Sequence, residues 1–326
     1  MTSALDAHVG IALQSAKGTP NTTNSAFNYL FFSEGTGIEP QNMYLPLDQE
    51  IGSGPLIRDV KKVGVHTEGA LRFIPRPKTL GYLLKGALGA VATVAPTGPA
   101  TAYNHTFKFA SNQFDVPYFT VRRRIHAGEI GDIASDVRVQ ALQLEMQASN
   151  FVRATASFMG AGIPTLMHTP DTWTPATYVD TTDPFLTCKG TVELPTGTAV
   201  KLLSASVTMM NQMPLDEQML IAHYNPDDIE IVSRSIMFQF VVKVTDNDLY
   251  RKMAYGSLAG SPSYPVTWVP SMYREANLTL KFQSEFDIDS GVPSSIEFKA
   301  NGASDNTANI AWSCQPIGLR GNKQVL

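Results

Sequence analysis

Apolar and polar residues alternate with a period of two along most of this chain, a pattern that predicts β-strands with one buried face. The clearest case is SIMFQFVVKV (235–244), in which every second residue from Ile236 to Val244 is apolar. Similar alternation predicts strands in YNHTFKF (103–109), YFTVRRRI (118–125), VRVQALQLEMQA (137–148), NFVRATASFMGAG (150–162), KLLSASVTMM (201–210), ANLTLKFQSEF (276–286) and NIAWSC (309–314). Clusters of Gly, Pro, Asn and Asp separate these segments, as is typical of antiparallel sheets.

Two short segments have helical periodicity instead. In KTLGYLLKGALGAV (78–91), apolar residues from Leu80 to Val91 follow the spacing of one helical stripe. TDNDLYRKMAYG (245–256) has Thr245 as a candidate N-cap and Gly256 as a candidate stop. Each helix follows a strong strand, so each is expected to cover one open face of a sheet. The predicted fold class is therefore α+β, mainly antiparallel β.

The strand-and-helix pattern occurs twice. GYLLKGALG (81–89) and DLYRKMAYG (248–256) share three identical residues at an offset of 167, and Pro-Leu-Asp at 46–48 recurs at 214–216 with an offset of 168. This order and near-constant offset favour an internal duplication. We predict a first module over residues 1–163 and a second over 164–326, each of a common domain size.

Two segments are predicted to be extensions of these modules. Residues 48–70 are predicted to form a long loop in the first module, with Leu56 and Ile57 at its glycine- and proline-marked tip, beside Arg58 and Asp59. A loop of that length in a compact domain is usually functional or disordered. The C-terminal NKQVL (322–326) is expected to be an arm that reaches a neighbour.

The composition restricts the classes of function that the protein can have. The chain has 326 residues, is 43% hydrophobic and 17% charged, and has a formal net charge of −4, which argues against a nucleic-acid-binding protein. Cys188 and Cys314 are far apart, and two buried free thiols are favoured over a disulfide. The N-terminus lacks the basic and apolar regions of a signal peptide, and the longest apolar stretch is too short to span a bilayer.

The sequence contains none of the common catalytic or metal-binding motifs that we considered, so no enzyme activity, cofactor or metal is predicted. Glu285, Asp287 and Asp289 alternate, but Ser290 and Ile296 stand where a calcium-binding EF-hand loop needs Gly and Glu. The basic run Arg122-Arg123-Arg124 lacks the aromatic company of a phosphate site. Ion pairs, within the chain or across a subunit boundary, are the favoured role for these arginines.

Three segments resemble a known family. MTSALDAHVGIALQSAKGTPNT at the N-terminus, GALRFIPRPKTLGYLLKGALGAV before and within the first predicted helix, and the hairpin VRVQALQLEMQASNFVRATASFMGAG are similar to segments of the tail tube (major tail) proteins of long-tailed, non-contractile phages. The repeat suggests a duplicated type of tube fold. The second half departs from the pattern because it lacks the Arg-Pro-Lys bend.

The resemblance implies a structural virion protein made of two tandem β-sandwich or half-barrel modules, each with a short flanking helix. Such subunits join edge to edge into a ring with a lumen for DNA, and the rings stack into a tube. Three chains with two modules each would give a homotrimeric ring with pseudo-sixfold symmetry. The lumen is expected to be neutral to acidic, since basic residues would retain the phosphates.

The same resemblance implies where the protein acts and with what. It places the protein in the virion tail, and in the host cytoplasm during assembly, with no membrane contact. The implied partners are further copies of the chain, the tail terminator, the tape measure, the baseplate or tip proteins, and DNA in passage. Leu56 to Asp59 become candidates for ring stacking, and Arg122 to Arg124 for inter-subunit ion pairs. The alternatives are a decoration or baseplate-ring protein, a carbohydrate-binding β-sandwich and, least favoured, a hydrolase.

Overall fold

The computed structural model describes residues 8–35, 38–47, 59–94, 102–110, 112–126, 130–167, 184–185, 187, 191–193, 202–242, 275–281, 295–302 and 312–322. These residues form an antiparallel β-structure with one α-helix, α1 (Pro77–Leu88), which confirms the predicted fold class. The strands are β1 (His8–Leu13), β2 (Asn28–Leu30), β3 (Phe32–Gly35), β4 (Glu39–Pro46), β5 (Val60–Phe73), β6 (Gly89–Val94), β7 (Ala102–Phe109), β8 (Phe119–His126), β9 (Ile130–Gln147), β10 (Arg153–Gly160), β11 (Thr165–Met167), β12 (Thr191–Glu193), β13 (Leu202–Gln212), β14 (Ser233–Val242), β15 (Glu275–Lys281), β16 (Ser295–Gly302) and β17 (Trp312–Asn322).

The described parts of the segments with period-two alternation form strands, but the predicted loop before the first helix is shorter than expected. The loop predicted over residues 48–70 is wrong for residues 60–70, which form most of β5. These residues are in a strand because β4 pairs with them along one edge and β10 pairs with residues 67–73 along the other. Of the predicted loop tip, Asp59 is described and lies immediately before β5.

The first predicted helix forms but ends earlier than its apolar stripe suggested. Gly89 has φ 92°, a conformation that few other residues tolerate, and its N–H donates to the carbonyl of Lys85. The chain then enters β6, so Val91 belongs to a strand rather than to the helix. The second predicted helix, residues 245–256, lies outside the described residues, as do Leu56, Ile57, Arg58, Cys188 and Glu285.

The strands of the first half follow a spatial order that differs from their order in sequence. Antiparallel pairing runs β1–β8–β9–β10–β5–β4. The second half repeats this path with β12–β15–β16–β17–β14–β13, and the equivalent strands occur in the same chain order. The β14–β17 link consists of one described residue pair, Ile236 opposite Trp312.

Strand β9 joins the two halves into one sheet. Its first part pairs with β8 and its later part, Ala141–Gln147, pairs along the same edge with β13, from the second half of the sequence. A second junction places β17 beside β7. A boundary between modules near residue 163 stays a prediction, because the sheet is continuous across the sequence halves.

The main core lies between one face of this sheet and α1. The helix contributes Leu80, Leu83 and Leu84, all buried, and the sheet contributes alternate residues of β5, β9, β10 and β13. β1, β2, β7 and β8 complete the apolar layer. On the opposite face, Met159 of β10 belongs to a second, smaller cluster with Met213, Ile229 and Ile231. The part of that face around Gln143 and Glu145 of β9 is polar, so the two faces of the sheet differ in chemistry there.

Gly86 sets how closely α1 approaches the sheet. A Cβ atom at this position would lie 2.7 Å from both Phe119 Cε2 and Val139 Cγ2, closer than side chains pack. On an exposed helix, Gly→Ala normally stabilises because alanine has the higher helix propensity. Here the clash outweighs that gain, since the ring and the branched side chain have no room to move.

We therefore expect Gly86→Ala to lower the free energy of unfolding by about 1–3 kcal/mol. Urea unfolding followed by circular dichroism measures this change. The matched control is Lys85→Ala, a substitution of the adjacent half-buried residue that keeps a good helix former, with an expected change within about 0.5 kcal/mol. A Gly86→Ala protein as stable as the wild type would contradict the close packing of helix and sheet.

Candidate functional site: a polar sheet face and an open strand edge

The sheet face opposite α1, around the middle of β9, is lined mainly by small and neutral polar side chains, with four charged residues among them. On β9, Gln143 and Glu145 point away from the core formed by Leu142 and Leu144. Residues directly opposite each other in an antiparallel pair share a face, so the register extends this surface across four strands. Its partly or fully exposed members are Ser204, Ser206, Thr208 and Met210 of β13, Ala141, Gln143, Glu145 and Gln147 of β9, Arg153, Thr155 and Ser157 of β10, and Glu68, Ala70 and Arg72 of β5. We call this set the polar face.

Charges on the polar face balance. Its two arginines, Arg72 and Arg153, are matched by two glutamates, Glu68 and Glu145, so the formal charge is 2 − 2 = 0. Arg72 Nη2 lies 3.5 Å from Glu145 Oε2, and Arg153 stands opposite Glu145 in the β9–β10 register. Because the charges of this set sum to zero and Arg72 pairs with Glu145, the polar face has no excess of cations that would bind phosphates strongly.

The arginine run lies on β8 and has partners within the chain. Arg122 is 2% exposed, donates to Asn24 Oδ1 at 2.7 Å and to Tyr29 Oη at 2.6 Å, and its guanidinium carbon lies 3.7 Å from the centre of the Phe27 ring. Burial lowers the pKa of Arg122, and the Tyr29 contact opposes that shift. A cation held by neutral groups and a ring fixes β8 against β2 and the turn before it.

Arg123 makes two ion pairs, both within the described part of the chain. Its Nη1 lies 2.7 Å from Glu39 Oε1 and its Nη2 2.5 Å from Asp132 Oδ2. The three residues tie the beginning of β4 to β8 and β9. Arg124 is half-buried. Ion pairs of Arg122, Arg123 and Arg124 with another subunit therefore stay a prediction. For Arg123, the structure shows the alternative, ion pairs within the chain.

Strand β4 is the open edge of the first half. It pairs with β5 on one side, and no other described strand pairs with it. At the far end of this hairpin Tyr44 and Leu45 are 60% and 61% exposed, and Leu47, Val60 and Val63 are exposed as well. An unpaired strand edge beside a group of exposed apolar residues is typical of a surface that another chain covers.

The residue that follows β4 is hydrogen-bonded to the residue that precedes β5. Leu47 N donates to the carbonyl of Asp59 at 2.9 Å, and the Asp59 carboxylate accepts from the N–H of Val60 and pairs with Lys61. These contacts lower the pKa of Asp59, with the bond to Lys61 as the largest cause. Of the four predicted stacking residues, the structure describes only Asp59, immediately before β5.

A cluster that the sequence spacing did not indicate holds the connection between β13 and β14, residues 213–232. Tyr118 Oη donates to both carboxylate oxygens of Asp228, at 2.8 and 2.9 Å. Arg138, which is 1% exposed, stacks 4.0 Å from the Tyr118 ring and donates to the carbonyl of Ile229 at 2.6 Å. Burial first, and then the bond to Asp228, raises the pKa of Tyr118. No motif could have revealed this cluster, because Tyr118 and Asp228 are 110 residues apart.

Asn211 is a second residue that the sequence analysis missed. It lies on β13, is 2% exposed, and its Nδ2 donates to the carbonyl of Ala87 at 3.1 Å and to that of Val139 at 2.8 Å. It therefore satisfies a carbonyl at the C-terminal end of α1 and joins that end to β9. The predicted strand, residues 201–210, ended one residue before it, so the sequence analysis gave no signal for Asn211.

The described residues contain no group of His, Cys, Asp or Glu that could hold a metal ion. Glu285, Asp287 and Asp289, the one candidate series in the sequence, are outside those residues. A search for membrane-spanning helices found none of sufficient length and hydropathy in the described part of the chain. Among the described residues, the candidate functional features are the polar face and the open edge of β4.

Comparison with known proteins identifies one family. A family model described as phage tail tube protein matches residues 4–316, which is nearly the whole chain. A search of the curated proteins finds no match.

We expect Arg122→Lys to lower the free energy of unfolding by about 2 kcal/mol, because the ammonium loses the fork of two hydrogen bonds and most of the contact with Phe27. Chemical denaturation provides the measurement. Arg153→Lys, a conservative change at an exposed position, should alter stability by no more than about 0.5 kcal/mol. Equal effects of the two substitutions would show that the buried position of Arg122 contributes nothing to stability.

Proposed function

Because this chain belongs to the phage tail tube protein family, we propose that it forms the tail tube of a long-tailed, non-contractile phage as stacked homotrimeric rings with pseudo-sixfold symmetry. The family makes it a structural virion protein of the tail. In the proposed assembly, DNA passes through the lumen during ejection. The tail terminator, the tape measure and the tip proteins contact the tube, and free subunits accumulate in the host cytoplasm before assembly.

The repeated order of strand pairing is the single observation on which the proposal of a homotrimer rests. Six strands of the first half and six of the second follow the same path through the sheet in the same chain order. A duplicated module explains this repetition together with the recurring Pro-Leu-Asp and Lys-x-Ala-x-Gly patterns. A chain with two such modules supplies two wedges of a ring, so three chains give six.

The chemistry of the polar face supports a role as the lumen wall. DNA is held by cations that neutralise its phosphates, and each such contact slows its movement. A wall of Ser, Thr, Gln and Ala with balanced charges offers hydrogen bonds to water but no net attraction for phosphate. The apolar face of the same sheet is covered by α1, so the polar face is the side available to an aqueous channel.

Ring stacking is assigned to the end of the β4–β5 hairpin. Tyr44, Leu45 and Leu47 are exposed there. Leu56, Ile57 and Arg58, the predicted stacking residues, lie outside the described residues, in the segment that follows Leu47 in sequence. Apolar side chains at the end of a hairpin bury surface when they contact the ring above or below, which stabilises the stack by about 25 cal/mol per Å² of apolar area. The backbone hydrogen bond from Leu47 N–H to the carbonyl of Asp59 joins the two ends of that segment.

Electron microscopy of the purified protein at high concentration tests the assembly. We expect rings or tubes with six wedges, and native mass spectrometry of the rings should give three chains. Six chains per ring would overturn the duplicated-module trimer but leave a tube protein. A protein that decorates capsids or binds sugars would give neither rings nor tubes, even when short tubes from virions are added as seeds.

A charge change on the polar face tests the lumen assignment. Gln143→Arg places one cation per chain on the proposed lumen wall. Because the cations of all stacked rings bind the phosphates of the same DNA molecule, the infectious titre should fall by on the order of tenfold or more. The matched control is Gln143→Glu, which is similar in size but repels phosphate, and it should leave the titre unchanged.

Tube formation by both variants is checked by electron microscopy, so that a failure to assemble is not taken for slow ejection. Normal tubes with equal titres for the arginine and glutamate variants would place Gln143 outside the lumen.

A further inference from the structure

The outer part of the β4–β5 hairpin extends beyond the sheet. β10 pairs with β5 only over residues 67–73, so residues 60–66 have β4 on one edge and no strand on the other among the described residues. A two-stranded ribbon is only marginally stable by itself. A hairpin that presents apolar side chains to a neighbouring ring therefore needs support from another element of the structure.

The β13–β14 connection, residues 213–232, contacts the hairpin at this point. The carbonyl of Tyr224 accepts from the N–H of Val65 at 2.7 Å. Beside it, a Cβ atom on Gly64 would lie 2.8 Å from Met219 Cε and 3.2 Å from Met43 Sδ. Met43 is half-buried, whereas its neighbours on β4 are exposed. The absence of a side chain at Gly64 thus leaves the space that a methionine of the hairpin and one of the connection share.

The later part of the connection is anchored to the sheet. Ile229 is buried in the same apolar cluster as Met159 of β10. Arg138 of β9 donates to the carbonyl of Ile229 at 2.6 Å, and Tyr118 Oη donates to the carboxylate of Asp228. The connection therefore reaches from the sheet, where it is held by apolar packing and hydrogen bonds, to the outer part of the hairpin.

The internal repeat shows that the corresponding segment has a different conformation in each half. The offset of 167 relates residues 60–65, in the outer part of β5, to residues 227–232 (227 − 60 = 167). Residues 60–65 are strand in the projecting hairpin, whereas residues 227–232 belong to the connection and include its anchored part. Within the described residues 202–242, the second half therefore has no projecting hairpin at this position and instead supports the hairpin of the first half.

From these contacts we infer that the β13–β14 connection is a brace that positions the β4–β5 hairpin for ring stacking, with Gly64 as its seat. The inference rests on the proposed function, because it concerns the hairpin to which stacking is assigned. Met219 and Tyr118 are positioning residues in this scheme, since they act on stacking through the hairpin. Each chain of the proposed trimer then has one projecting hairpin and one brace, so the contacts of this hairpin follow threefold rather than sixfold symmetry.

Hydrogen exchange of the unassembled protein tests the brace. Gly64→Val fills the space that Met219 and Met43 share, so the connection has to move away from β5. Valine favours strands, so the pairing of β4 with β5 is not itself weakened. The backbone N–H groups of residues 42–45 and 60–64 should exchange about tenfold faster, because a hydrogen bond and the packing of a methyl group are lost. Exchange in the centre of β9 should not change.

Three further variants separate displacement of the connection from damage to the hairpin. Met219→Ala in the Gly64→Val background removes the clashing methyl group and should restore most of the protection, as expected of two residues in contact. Tyr118→Phe weakens the anchored end without touching the hairpin, and it too should speed exchange in the hairpin. The control is Glu217→Gln, at an exposed position of the same connection, which should change nothing.

Extension of seed tubes measures the consequence for stacking. The concentration of Gly64→Val protein needed for extension should rise about tenfold, in step with the exchange rates, and Met219→Ala should reverse the rise. Unchanged exchange in the hairpins of folded Gly64→Val and Tyr118→Phe proteins would overturn the brace. Faster exchange with normal extension would overturn its positioning role. If wild-type protein formed no rings or tubes under any condition, the proposed function would fail and the stacking role with it, while the exchange rates would still decide whether the connection holds the hairpin.

Discussion

The backbone hydrogen bonds of β9 are the constraint on which the rest of the structure depends. This strand has 18 residues, and its two edges must be paired along nearly their whole length if the backbone is to leave water. β8 and β13 share one edge, and β10 and β11 share the other. Because β13 comes from the second half of the sequence, its hydrogen bonds to the backbone of β9 join the two halves into a continuous sheet.

The same constraint distinguishes the two ends of the repeated strand path. Where β13 meets β9, the edge is closed, the apolar side chains are buried and a polar residue, Asn211, donates two hydrogen bonds. Where β4 ends the first half, the edge remains open and apolar side chains reach solvent. Open edges are liabilities for a soluble protein unless further copies of the chain cover them, and a tail tube subunit meets that condition.

Buried cations stabilise the connections around this sheet without forming a binding site for phosphate. Arg122 stacks on Phe27 and Arg138 on Tyr118, and the described bonds of both guanidinium groups go to neutral oxygens. Desolvation disfavours such charges, so each needs a ring face and hydrogen bonds to offset the cost. The arginines are thereby withdrawn from the surface, which leaves a balanced polar face.

The sequence by itself determined the strands, the first helix and the absence of common catalytic motifs, because period-two and period-3.6 patterns are local consequences of burying one face. Local patterns also predicted the internal repeat. Only the tertiary structure decided that residues 60–70 are strand rather than loop, that Arg122 is buried against Phe27, and that Asn211 bonds to Ala87 and Val139. These outcomes depend on partners that are distant in sequence, and residue spacing carries no information about which strand lies beside which.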